Sequence, residues 1–254
     1  MNVAIIGCGP AGMFAAEACS QQGVPFSIYA PKGVSSISGA QYLHKAIPWL
    51  TGDQDGYITF KKIGTRDGYA LKVYGHLGMD VSWDTFTDGP KPYWSLQSAY
   101  LTAWMRYEKH IKSIKVKPTD IRKLKKDYSL VINTAPKIFL CKHPDDHKFT
   151  SQTVFLTLPE ERHLQNGNQI IYNGQREVPW YRWSFIQGLS CYEFSHDPKY
   201  KKKETIEIRK PLINFCDCHE GDGYLEVGRY GRWRKGALTH EAYFKTMDKI
   251  DALQ

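Results

Sequence analysis

The sequence has no apolar run approaching the roughly 20 residues that a membrane-spanning helix needs, so no membrane segment is expected. No basic region precedes its first apolar stretch, Met1-Asn2-Val3-Ala4-Ile5-Ile6-Gly7, which is therefore not expected to act as a secretory signal. The expected location is the cytoplasm. Internal repeats and low-complexity tracts are lacking. Six cysteines (Cys8, Cys19, Cys141, Cys191, Cys216, Cys218) are scattered over 254 residues, which excludes a disulfide framework. The redox spacing C-x-x-C is also absent. Acidic residues are in deficit, 26 against 34 Lys+Arg, for a net charge of +8. That balance favours anionic partners without choosing between a nucleotide, a phosphorylated substrate and a nucleic acid. Aromatics are not scarce: at 13% they exclude disorder as the main state.

What is present first is a strand, a glycine turn, a helix and a second strand. Val3–Ile6 is a short apolar run of the kind buried on both faces of a parallel sheet. Ala11 to Gln22 has helical composition and stops at Gly23, and Phe26–Tyr29 reads as the second strand. A Gly/Ser-rich loop, Ser35 to Pro48, follows. Helical spacing of Leu96, Tyr100, Ala103, Trp104 and Tyr107 predicts a long helix from about Ser95 to Ile114. A short helix over Thr119–Lys126 then leads into a strand over Tyr128–Asn133. The runs Thr153–Leu158, Gln169–Tyr172 and Thr205–Ile208 predict a β-rich, antiparallel region. A last strand, Tyr224–Val227, precedes a helix from about Leu238. The expected fold class is α/β: a Rossmann-like domain whose parallel sheet uses both chain ends, with an inserted β-rich substrate region. The expected division is a nucleotide-binding core over 1–75, a helical insertion over 76–127, and a return strand over 128–141. The β-rich substrate region covers 142–221, and a closing strand and helix 222–254.

Gly7-Cys8-Gly9-Pro10-Ala11-Gly12 matches the dinucleotide pattern G-x-G-x-x-G between a strand and a helix, the context that gives the pattern meaning. Gly7 allows the tight turn, Gly9 lets backbone approach a pyrophosphate, and Gly12 lets helix and strand pack closely. Pro10 and Ala11 open the helix whose N-terminal N–H groups and dipole favour phosphate. The carboxylate expected about 20 residues on, for the ribose hydroxyls, is missing from Ser27-Ile28-Tyr29-Ala30-Pro31-Lys32. Lys32 in its place leaves a 2′-phosphorylated nicotinamide cofactor, NADP, as an alternative.

Two further segments, Ser38-Gly39-Ala40-Gln41-Tyr42-Leu43-His44 and Val227-Gly228-Arg229-Tyr230-Gly231-Arg232-Trp233-Arg234-Lys235-Gly236-Ala237-Leu238, complete a pattern. Together with the N-terminal glycine turn, it resembles FAD-dependent flavoproteins of the glutathione-reductase-like superfamily. Within that superfamily it is similar to the UDP-galactopyranose mutase and amine-oxidase branch. It also resembles small FAD-dependent oxidoreductase-like proteins of bacteriophages, for which the location would be the host cytoplasm. The resemblance implies FAD as cofactor. Gly39, Ala40 and Gln41 would approach it from the second loop, and Gly228 and Arg229 from the late strand. Backbone around Ala237, Leu238 and Thr239 would aim at the flavin. A helix N-terminus and an arginine there would stabilise the negative charge of a reduced flavin. Mutase activity is not implied, because the chain is much shorter than a typical mutase and lacks the residues that follow the mutase Gly-Arg motif.

The candidate catalytic residues are His44, Tyr181 and Arg182. In Pro179-Trp180-Tyr181-Arg182-Trp183-Ser184 the aromatics could stack on a planar ring and Arg182 could grip a phosphate or carboxylate. A β-rich core with an arginine at its rim fits equally well. His44 is read either as a proton donor or acceptor over the flavin or as a structural loop histidine. His240 is read as completing the first turn of the last helix, with contact to the flavin edge as the alternative. Cys216-Asp217-Cys218-His219 invites a metal, but zinc wants four ligands, often in two pairs. No second pair is evident, so no metal site is expected. Residues 109–127 hold eight Lys/Arg against two Asp, and 199–210 six against two Glu, around Lys201, Lys202 and Lys203. Solvated faces are the default reading, and a nucleic acid or nucleotide-like substrate the alternative. The expected function is an FAD-dependent oxidoreductase acting on a small or nucleotide-like anionic substrate. An NADP-binding reductase and a nucleic-acid-directed flavoprotein or non-catalytic module are the alternatives.

Overall fold

The computed structural model describes residues 1–254 apart from 32, 34, 36, 78–82, 84–88, 158–159, 162–166, 199–204 and 220. Lys32 and Lys201 to Lys203, on which two of the expectations above rest, lie outside the described residues.

The chain begins as expected. Strand β1 (Val3–Ile6) is buried along its whole length, and helix α1 (Pro10–Gln21) starts with proline in its first turn. β1 pairs in parallel with β2 (Phe26–Ala30) on one side and β7 (Leu130–Asn133) on the other. β6 (Ile111–Ser113) extends the sheet beyond β2, and β14 (Tyr224–Glu226) extends it beyond β7. The order β14-β7-β1-β2-β6 is that of a dinucleotide-binding sheet. Its last strand comes from the far end of the chain, as the sequence led one to expect. Ligands in such sheets bind outside the carboxyl ends of the strands, which is where the glycine turn lies.

A second sheet has the order β13-β8-β12-β11-β10-β4-β5-β3. Its strands are β3 (Tyr42–Leu43), β4 (Gly56–Gly64), β5 (Lys91–Ser95), β8 (Phe149–Thr157), β10 (Asn168–Gly174), β11 (Trp180–Ile186), β12 (Leu189–Phe194) and β13 (Thr205–Asn214). A short β9 (Glu160–Glu161) pairs with β12. The three β-like runs of the middle region fall on β8, β10 and β13, apart from Leu158, which lies outside the described residues. Their pairing is antiparallel except that β10 lies parallel to β4. Helix α2 (Arg66–Tyr74) packs on this sheet.

Three boundaries differ from expectation. Residues 42–75, expected in the nucleotide core, supply β3, β4 and α2 to the second sheet. The 76–127 segment, expected to be helical, also supplies β5 and β6. The long helix, here α3 (Leu96–Tyr107), ends seven residues early, because Ile111 turns into a parallel strand beside β2. Apolar spacing identifies a helix, but the choice between another turn and a strand is made by the open edge of β2. Helix α4 (Ile121–Asp127) precedes β7, a short α5 (Lys137–Leu140) follows it, and α6 (Gly228–Arg232) and α7 (Glu241–Asp251) close the chain. Among the described residues, no helix is long and apolar enough to cross a membrane.

α1 and α3 are joined through a buried carboxylate. Glu17 accepts hydrogen bonds from Tyr107 Oη at 2.8 Å and Arg106 Nη1 at 3.1 Å. Tyr100, also on α3, is fully buried. Its hydroxyl donates to the Cys8 carbonyl at 3.1 Å and accepts from Ser35 N–H at 2.9 Å. One phenol thus ties the glycine turn to the following loop. Tyr100→Phe is expected to cost about 1–2 kcal/mol, read as a lower urea midpoint with unchanged m-value. An unchanged midpoint would show that the bridge contributes nothing.

Candidate functional site

The glycine turn is built by contacts that leave no room for side chains. Gly7 has φ of +101°, and a Cβ there would strike Thr134. A Cβ on Gly12 would strike the Gly7 carbonyl. Gly9 differs. Its φ is −69°, and a Cβ would meet only Ser35 Oγ, at 3.7 Å. No side chain caps α1 at Gly9, so its first N–H groups are left for another acceptor.

Gly9, Pro10 and Ala11 form one wall of a cavity of about 390 Å³, a size suited to small molecules. The loop 37–44 forms a second wall with Ala40, Gln41 and His44. Arg229 and the segment 237–240, including Ala237 and Leu238 just ahead of α7, form a third. Arg182 of β11, Glu193 of β12 and Lys210 of β13 form the side contributed by the second sheet. Segments as far apart in the chain as Gly9 and His240 thus meet at one place. Gly7, Gly12, Gly39 and Gly228 do not line it; they shape its walls. Gly228 has φ of +71°, and a Cβ there would strike Ala11, which packs the late Gly-Arg segment against α1. That segment is the short helix α6, whereas the resemblance implies a late strand carrying Gly-Arg.

The charged wall is organised by Glu193, a residue that sequence reading did not single out. It is buried, and its carboxylate meets Arg182 Nη2 at 2.6 Å and Lys210 Nζ at 2.7 Å. It also accepts from Tyr181 Oη at 2.8 Å. Burial alone would raise its pKa, but Arg182 and Lys210 outweigh burial and hold it well below the usual carboxylate range. Burial lowers Lys210 to about 8, with Glu193 opposing that shift. The signal was available: a carboxylate inside the apolar run Leu189–Phe194 is seldom buried without a cation.

Tyr181 and Arg182 part company. A β-bulge between Trp180 and Arg182 lets these adjacent residues both reach Glu193. Arg182 borders the cavity, and its Nε is buried without a hydrogen-bond partner among the described residues. Tyr181 stands behind the wall, edge-on to Tyr69, and does not line the cavity. Arg229 uses Nε and Nη2 on the Pro211 carbonyl, at 3.3 and 3.0 Å, which anchors β13 to α6. His44 sits at the cavity mouth, stacked on Tyr42 at 4.4 Å between ring centroids and 6.2 Å from His240. Desolvation, then the nearby His240 and Arg182, lowers its pKa to about 4. It is therefore neutral at pH 7. On β2, the strand that lacks the expected carboxylate, Tyr29 Oη hydrogen-bonds Tyr128 Oη at 2.8 Å.

The second pair of metal-type ligands missing from the linear sequence is supplied by the fold, away from this cavity. Cys141 and His147 lie against Cys216 and Cys218, with all four ligand atoms within 4.8 Å of one another. His219 is not among them; its Nε2 contacts the Leu140 carbonyl at 2.6 Å.

No family model matches the chain, and no curated protein matches it. Solved structures of similar fold do exist. Reduced UDP-galactopyranose mutase aligns with a TM-score of 0.58 at 11% identity, over 99% of this chain and 93% of its own. The flavin-dependent brominase Bmp2 aligns with 0.57 at 12%, over 100% and 80%. BrvH, a flavin-dependent halogenase from Brevundimonas sp. BAL3, aligns with 0.53 at 11%, over 99% and 71%. At these identities the likeness establishes the fold.

Proposed function

We propose that the chain is an FAD-dependent enzyme, an oxidoreductase acting on a small or nucleotide-like anionic substrate. One observation carries the reading: the bare helix end at Gly9, the 37–44 loop, Arg229 and the 237–240 segment converge on one cavity. Flavin enzymes among the solved structures of this fold support it.

The residues present fit the cofactor. Gly9 offers backbone with no side chain in the way, and the uncapped first turn of α1 offers N–H donors to a pyrophosphate. Ala40 and Gln41 would border the cofactor on one side, and Arg229, Ala237 and Leu238 on the other. When bound, the flavin supplies the electron- or hydride-transfer chemistry. Arg182, which lines the cavity, would hold an anionic group of the substrate. Glu193 stays ionised and fixes both Arg182 and Lys210, so it is a positioning residue rather than a proton donor. Two cations against one carboxylate leave this wall positive, which suits an anion. His44, neutral at pH 7, can offer one ring nitrogen as a hydrogen-bond donor and the other as an acceptor at the cavity. Tyr181 serves as a positioning residue through Glu193.

The first test is the visible spectrum of the purified protein, before and after heat release of its ligand. A flavin spectrum with FAD in the supernatant is expected. A colourless protein that FAD fails to reconstitute would overturn the proposal and move the search to NADP or nucleic acid. For the latter, Lys109, Lys112, Lys115, Lys117, Arg122 and Lys123 are exposed.

The depressed pKa of His44 has a stability consequence. The unfolded imidazole binds its proton near pH 6.5 and the folded one near 4. Between those values the unfolded state holds more protons, so stability falls as pH drops from 6.5 toward 4. His44→Gln is expected to flatten that part of the Tm–pH curve. An identical slope in the variant would exclude His44 as its source.

A further inference from the structure

We propose that Cys141, His147, Cys216 and Cys218 form a structural zinc site that clips together the two chain crossings between the sheets. Four of their six separations are those of a coordination shell, and the other two are no more than 4.8 Å. Zn–S bonds of about 2.3 Å and a Zn–N bond of about 2.0 Å at tetrahedral angles place sulfurs about 3.8 Å apart and sulfur about 3.5 Å from nitrogen. The observed separations are 3.5 Å for Cys141–Cys216 and 3.8 Å for Cys141–Cys218. His147 Nδ1 lies 3.3 Å from Cys141 Sγ and 3.5 Å from Cys218 Sγ. The sulfurs are too far apart for a disulfide, whose bond is about 2.05 Å, and all are free thiols.

Local structure prepares each ligand. Cys141 follows α5. The His147 N–H bonds the His143 carbonyl at 3.0 Å, which folds the chain back so that the imidazole faces Cys141. Asn214 Oδ1 accepts from the Cys216 N–H at 3.1 Å at the end of β13. His219 holds the Leu140 carbonyl from the other side.

Three soft thiolates and one imidazole make a closed four-ligand set, which suits zinc and leaves no position for a reacting water. Binding exchanges three thiol protons for one Zn²⁺, so the site carries a net charge of −1. Its placement indicates its role. Residues 141–149 carry the chain from β7 and α5 into β8, and residues 214–224 return it from β13 to β14. Metal bound across both crossings would fix the charged wall of β11–β13 relative to the glycine turn.

The test uses the full chain, purified without a histidine tag. Elemental analysis is expected to find one zinc per chain. Cobalt(II) titration of the metal-stripped, reduced protein should give thiolate-to-metal charge transfer and tetrahedral d–d bands to the red of any flavin. Chelation should lower Tm, and zinc should restore it. Cys216→Ser and Cys218→Ser should lose the metal, while Cys191→Ala, outside the cluster, should keep it. Absence of both zinc and the cobalt bands in wild-type protein would overturn the proposal, as would iron in place of zinc. The wild-type spectra decide the matter even if the variants fail to fold, and whether flavin binds does not affect them.

Discussion

Glu193→Ala is expected to lower stability by about 3–5 kcal/mol, because it strands Arg182 and Lys210 in a buried wall without their anion. In the wild type, Glu193 is bonded on three sides, by Arg182, Lys210 and Tyr181. Burying an ion pair gains little over an apolar core, whereas breaking one leaves a desolvated charge uncompensated. Glu193→Gln should therefore also destabilise, since it keeps an acceptor for Tyr181 and loses the charge. Adding Arg182→Met and Lys210→Met to Glu193→Gln should recover most of the loss, because no charge then remains unpaired. Urea denaturation of the three proteins measures this. If Glu193→Ala fell within about 0.5 kcal/mol of wild type, the range of ordinary surface substitutions, the wall would not be held by this carboxylate.

Two glycines of one turn are expected to fail in opposite ways. Gly12→Ala places a Cβ against the Gly7 carbonyl, in backbone that has no flexible end to yield. The expected result is loss of at least about 3 kcal/mol, the upper end of ordinary overpacking, with soluble protein greatly reduced. Gly9→Ala has an ordinary φ and meets only a serine oxygen in van der Waals contact. Its stability without ligand should stay within about 0.5 kcal/mol of wild type. FAD affinity should fall at least about tenfold, or about 1.4 kcal/mol, because the added methyl stands where a pyrophosphate would approach. Thermal shift with and without added FAD separates the two. Equal FAD binding by wild type and Gly9→Ala would mean that the cofactor does not lie on this helix end.

What the sequence determined by itself was mostly local. Val3–Ile6, the glycine turn and α1 were legible because a buried parallel strand is apolar throughout and because a turn without Cβ atoms needs glycine at set positions. The middle strands were legible as runs of β-forming residues. The convergence of 7–12, 38–44 and 227–238 on one place could be anticipated only through a resemblance, since nothing in their spacing brings them together.

The tertiary structure decided the rest, for one physical reason. Pairing partners and charge partners are chosen across space, between residues that say nothing about each other along the chain. Ile111 extends as a strand because β2 has an open edge. Glu193 is an anchor because β11 and β13 bring Arg182 and Lys210 to it. Tyr181 leaves the cavity because a bulge re-aims its neighbour. The cluster at Cys216 and Cys218 was incomplete in the sequence because Cys141 and His147 lie about 70 residues away. Only the return of β13 beside β8 closes that distance.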